Sequence, residues 1–215
     1  MLIRVGISAA ILLAVSFTAL AGLPRERERE FQAAIHLSPN VSHGRQLFET
    51  CAACHGAAAE GVSDGTVPTI AAQHFRVIAW ELAGFRTQSR RDPRMEHFTD
   101  QHHLGGPQDI ADVAAYVSQL PPITPSAPGG GSGDARGRQI YQSRCASCHG
   151  VNAEGDDRQH TPRLAGQHYQ YLLHQLANAT EDRRSSFAPD HMRALKHFEP
   201  GDLTSVCDYL AHLAL

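Results

Sequence analysis

Two short runs carry residues suited to metal chemistry: Cys51-Ala52-Ala53-Cys54-His55 and Cys145-Ala146-Ser147-Cys148-His149. CxxCH is the attachment signature of c-type haem. Its spacing follows from the chemistry. Two thiols add across the two vinyl groups of the porphyrin, and the next residue sets an imidazole beneath the iron. One such run can arise by chance, or in a redox or zinc protein. Two in one chain point to two covalent haems, held by Cys51/Cys54 and by Cys145/Cys148, with His55 and His149 as proximal ligands. A shared zinc site would want the CxxC pairs about 15–20 residues apart, and these lie most of a domain apart.

The far side of each iron needs a second ligand. Methionine there raises the potential and fills the sixth position, favouring electron transfer over substrate binding. The chain has only three methionines: the initiator, Met95 and Met192, the last two falling one per half. Met95 follows a proline by two residues, in Pro93-Arg94-Met95. The second half reads Pro189-Asp190-His191-Met192, with histidine at that count and methionine one later. Chemistry favours Met192 as the distal ligand. Counting from the proline favours His191, which would give a bis-histidine haem of lower potential. His102 and His103 are weaker rivals to Met95. Most of the 14 histidines are expected to be surface or local hydrogen-bonding residues.

The elements that must position these ligands occur twice. The offset that carries Cys51 onto Cys145 also carries Glu60-Gly61 onto Glu154-Gly155, Pro68 onto Pro162, and Gln73-His74 onto Gln167-His168. Gly44-Arg45-Gln46-Leu47-Phe48 and Gly137-Arg138-Gln139-Ile140-Tyr141 precede the two motifs. Between the copies, the Pro/Gly/Ser run at 121–133 reads as a linker, stiff then flexible. Two domains are expected, 39–120 and 134–215. Each should be helical: a short helix into CxxCH, a middle helix (Phe75 to Phe85, Tyr169 to Ala179), and a closing helix. Ile110, Val113, Ala114, Val117 and Leu120 recur at helical spacing, as do Leu203, Val206, Cys207, Leu210 and Leu213. Pro200 and Asp202 suit the start of the latter. The ligand-bearing stretches between middle and closing helices are expected as loops. No β-alternation appears, so the fold is expected to be all-α. Cys207 takes the core slot of Ala114 and is expected to be a small buried hydrophobe.

Arg4, the apolar stretch Val5 to Phe17 and Ala19-Leu20-Ala21 read as a signal peptide over 1–21, cleaved after Ala21. An uncleaved anchor is the alternative, though the stretch is short for a bilayer span. Residues 22–38 form a charged segment, and Arg25-Glu26-Arg27-Glu28-Arg29-Glu30 reads as a solvated run outside any core. Export to the periplasm follows. The net charge of −3 excludes a strongly basic nucleic-acid binder.

The CxxCH-Gly stretches, the Pro-x-x-Ala-[Ala/Gly]-Gln runs at Pro68 and Pro162, and Tyr116 and Tyr209 in the closing helices resemble the class I cytochromes c. The two-unit layout resembles the dihaem cytochrome c4 family, over about Pro39 to Leu213. That resemblance implies two tandem helical domains, each around one haem c. It also implies that the carbonyls of Pro68 and Pro162 accept hydrogen bonds from the proximal histidines, and that Phe48 and Tyr141 pack near the closing-helix tyrosines. The function it implies is a non-enzymatic electron carrier, expected here as a monomer. Such a carrier runs between a respiratory complex or dehydrogenase and a terminal oxidase or reductase, touching membrane complexes only transiently. A haem subunit of a larger oxidoreductase is the alternative. A dihaem enzyme with an open distal site is a third reading, hinted at only by His191-Met192.

Overall fold

The computed structural model describes residues 25–123, 135–181, 187, 189–195, 198–199 and 201–214. The expected signal peptide, most of the expected linker and Pro200 lie outside them. Ten helices are described: α1 (25–35), α2 (Val41–His55), α3 (Phe75–Arg86), α4 (Pro93–Phe98), α5 (Pro107–Gln119), α6 (Ala135–Arg144), α7 (Ala146–His149), α8 (Tyr169–Thr180), α9 (Pro189–Leu195) and α10 (Asp202–His212). Among the described residues the only β feature is one isolated bridge, Asp156 to Thr161. The fold is all-α, as two tandem units with separate cores.

In the first unit α2 crosses the closing helix α5, in the second α6 crosses α10, and the repeated glycine makes each crossing close. A Cβ on Gly44 would lie 2.0 Å from the Asp112 carbonyl oxygen; one on Gly137 would lie 2.1 Å from that of Ser205. Next to each crossing an aromatic pair fills the angle between helices. Phe48 and Tyr116 have ring centres 5.3 Å apart, and Tyr141 and Tyr209 5.7 Å. The helical stripes read from the sequence are the buried ones. Ile110, Val113, Ala114 and Val117 enter the first core, and Val206, Cys207 and Leu210 the second. Burial pushes the Cys207 thiol up to about 12, so this cysteine is an apolar packing group at neutral pH.

Asp112 locks the first crossing. Its buried carboxylate accepts from the Asn40 backbone N–H (2.7 Å), His43 Nδ1 (2.8 Å) and Gln108 Nε2 (2.7 Å). Burial alone would raise its pKa; the hydrogen bonds outweigh that and hold it below the usual carboxylate range. A depressed native pKa contributes stability that is present above the unfolded value and is lost as pH falls through the native one. Asp112→Ala should cost about 1–3 kcal/mol, because the Asn40 N–H loses its acceptor. Urea unfolding at neutral pH measures this, and the variant should show a weaker acid dependence than the parent. Equal stability of the two proteins would contradict the assignment.

Three expectations are corrected. The Arg/Glu run is solvated on one side only: Arg25, Glu26, Glu28 and Arg29 are exposed, but the run lies on α1, whose Arg27, Phe31 and Ala34 form one buried face at i, i+4 and i+7. Arg27 keeps its charge satisfied while 4% exposed. Its guanidinium lies 3.8 Å from the centre of the Trp80 ring, donates from Nε to the Trp80 carbonyl and sits 3.6 Å from Glu81. Phe31 packs edge-on to Trp80 at 5.2 Å, and such a buried ring contributes about 1.5–3 kcal/mol. Secondly, the ligand-bearing loops contain the short helices α4 and α9. Proline opens each, suited to a position whose N–H has no intrahelical acceptor, and Asp92 caps α4 by accepting from Arg94 and Met95 N–H. Thirdly, the helix into the second CxxCH is broken at Cys145 into α6 and α7, whereas α2 runs unbroken.

Candidate haem-binding sites

The first CxxCH run ends α2, and the second spans the break at Cys145 and the short α7, so in each unit both thiols and the imidazole come from one short stretch of backbone. Cys51 and Cys145 are half-buried, while Cys54 and Cys148 are exposed. Burial pushes the two inner thiols up to about 11.

The histidines are built alike. His55 is 8% exposed and donates from Nδ1 to the Pro68 carbonyl at 3.1 Å; His149 is 7% exposed and donates from Nδ1 to the Pro162 carbonyl at 3.0 Å. A carbonyl oxygen can only accept, so the ring proton must sit on Nδ1. Nε2 is left with its lone pair, the state in which imidazole binds a metal. Burial also lowers the pKa of both rings, more than the carbonyl contacts raise it. Neutral, oriented imidazoles beside paired thiols are a donor set that fits a covalent haem.

The loop that brings each proline back explains the repeated Glu-Gly pair. Gly61 and Gly155 have φ of +70° and +74°, and a Cβ on either would lie 2.5 Å from a backbone oxygen or carbon of the returning strand of chain. Their N–H groups donate to the carbonyls of His55 (2.7 Å) and His149 (2.8 Å). Only glycine satisfies that conformation and that approach. Glu60 and Glu154 close the same turns by accepting from the N–H of Ala58 and Asn152.

On the far side, Met95 lies on α4 and packs, partly buried, against the first core. His191 and Met192 are neighbours on α9, both half-buried. The ring centres of His149 and His191 are 6.3 Å apart, and Phe187 stacks on His191 at 4.4 Å.

The repeated Gln-His pair had no role assigned from sequence. It joins the two units. Gln73 Nε2 donates to the Arg163 carbonyl (3.0 Å) and Gln73 Oε1 accepts from the Arg163 N–H (2.9 Å). Gln167 does the same to Thr69, at 2.8 and 3.1 Å. His74 Nε2 donates to the Glu154 carbonyl and His168 Nε2 to that of Glu60, both at 2.8 Å. Each glutamine thus grips the residue that follows the other unit's acceptor proline. Around this pseudo-twofold, Arg76 N–H donates to Asp157, Arg90 to the Tyr171 hydroxyl, and Phe31 meets His160.

The family model for cytochrome c matches this chain twice, over residues 41–121 and 135–213. The chain belongs to the cytochrome c family. Domains of this family imply covalent haem c, and the two copies make this cytochrome a dihaem, cytochrome c4-like protein. It is 27% identical to a cytochrome c4 of Azotobacter vinelandii over 70% of this chain and 77% of the relative. A cytochrome bc1 complex cytochrome c subunit of Mycobacterium tuberculosis is also 27% identical, over 80% of this chain and 66% of the relative. In structure, this cytochrome matches the reduced cytochrome c4 of Pseudomonas stutzeri with a TM-score of 0.72 and 23% identity, across 82% of this chain and all of that one.

Proposed function

We propose that this cytochrome is a periplasmic dihaem electron carrier. One haem is held by Cys51, Cys54 and His55, with Met95 as the sixth ligand; the other by Cys145, Cys148 and His149, with its sixth ligand from α9. Haem supplies a one-electron couple at iron. The chain's own residues do the remaining work. Pro68 and Pro162 fix the proximal rings, the helical cores exclude water, and the glutamine clamp holds the two units in register. The observation that carries the reading is this clamp, which ties the two histidine–proline pairs together through Thr69 and Arg163. That linkage suits internal exchange between two redox centres.

Electrons would enter from a respiratory complex or dehydrogenase and leave to a terminal oxidase or reductase, with the mature monomer beginning after Ala21. Among the described residues no helix is long and apolar enough to cross a membrane. A second reading, a haem subunit of a larger assembly, is favoured by the likeness to the mycobacterial bc1 subunit. Pyridine haemochrome analysis with intact mass of the exported protein should give two haems per chain and a start at residue 22. One haem or none would overturn the dihaem reading. Recovery only within a stable complex would favour the second.

A further inference from the structure

We infer that the second iron takes His191, not Met192, as its sixth ligand, so that the two units carry haems of unlike ligation. The inference rests on the reading of two covalent haems above. Two imidazoles bound to opposite sides of one metal, with bonds of about 2 Å as in zinc–histidine sites, place their ring centres roughly 6 Å apart. The ring centres of His149 and His191 are 6.3 Å apart. Both ring planes contain the ligand axis in such an arrangement, so their 74° angle is compatible with it.

The helical register gives an independent argument. Were this stretch a loop, a one-residue shift between His191 and Met192 would be easily absorbed. It is a helix, where one residue is a rotation of about 100°. Proline opens both α4 and α9, and the third residue of each is Met95 or His191. Met192 therefore points to a different side of its helix from the one Met95 uses. The packing agrees: Met95 lies against the first core, while Met192 is not among the described apolar residues packed on the second. Stacking of Phe187 on the His191 ring, at 4.4 Å and 19°, holds the imidazole from one side.

Methionine–histidine ligation raises a haem's potential relative to bis-histidine ligation. A single added electron would then rest mainly on the first unit, leaving the second as the stronger donor when both are reduced.

The oxidised holoprotein tests this through its methionine–iron charge-transfer band. The expected intensity is that of one haem in a protein carrying two. Met95→Ala should abolish the band and Met192→Ala should leave it unchanged. His191→Ala should open one iron per chain to carbon monoxide after reduction. Intensity for two haems, or a band halved by Met192→Ala, would overturn the inference while leaving the dihaem reading intact. A haemochrome count below two would overturn that reading itself, and this inference with it. The wild-type band and the Met192 variant decide the matter even if the His191 variant fails to fold.

Discussion

Gly44→Ala should unfold the first unit or leave it held together only weakly, and Gly137→Ala should do the same to the second. Alanine is the better helix former by about 1 kcal/mol, so propensity alone predicts a small gain. Contact decides the opposite sign. The new methyl would lie 2.0 Å from the Asp112 carbonyl oxygen, or 2.1 Å from that of Ser205. Both obstacles are backbone atoms of α5 and α10, which no rotamer change can move. The helices must separate, and the separation spreads. In the first unit it loosens Phe48 from Tyr116 and strains the Asp112 hydrogen bonds; in the second it loosens Tyr141 from Tyr209. Overpacking of this kind costs about 1–3 kcal/mol before secondary losses, so about 3 kcal/mol or more is expected. The docked units melt together, and for a cooperative unit of about 150–250 residues each kcal/mol lowers the melting temperature by about 2–4 °C. Calorimetry of the holoprotein should show the variant melting about 6 °C or more early. A shift below a few degrees would mean the crossing is looser than the structure has it. Gly44→Ser should behave no better, since the clash lies at Cβ.

What could be read from the sequence follows the range of the interactions involved. CxxCH is local chemistry, and the closing helices carry a stripe of several turns, so both were visible residue by residue. The resemblance to the class I cytochromes c made the histidine–proline pairing an expectation for both copies. Alternating Arg and Glu hid α1, because the residue that opens its buried face is charged. Arg27 is buried by Trp80, more than fifty positions away, which hydropathy cannot register. The apolar residues at i+4 and i+7, Phe31 and Ala34, were the signal that would have found it. α4 and α9 span too few turns to show a period, although their opening prolines marked their starts. The Gln-His pair stood out as a repeat, yet its meaning lay in the other copy. A hydrogen bond from Gln73 to Arg163 leaves no trace in the sequence around either residue.

Removing that clamp should have the largest effect on the relation between the units. In the double variant Gln73→Ala/Gln167→Ala, four interdomain hydrogen bonds disappear. The Thr69 and Arg163 backbone groups keep their place in a part-buried seam without partners. An unsatisfied buried group costs about 1–3 kcal/mol, so each glutamine should be worth about 2–3 kcal/mol of docking. The two effects should not add, because opening one side of a shared seam admits water to the other. Holoprotein calorimetry should show one cooperative transition in the parent and two separate ones in the double variant, and the radius of gyration by scattering should rise. A single unchanged transition with unchanged dimensions would reject the clamp. Gln167→Glu discriminates further. The carboxylate can still accept from the Thr69 N–H but cannot donate to the Thr69 carbonyl, and it sets a negative charge against that oxygen. It should undock the units about as well as alanine, although it fills the same space. Each glutamine grips the residue beside the other unit's acceptor proline, so undocking also frees the loops that orient His55 and His149. The effect of either substitution on a haem potential should therefore be greater in the unit across the seam: Gln167 variants should disturb the first haem, and Gln73 variants the second.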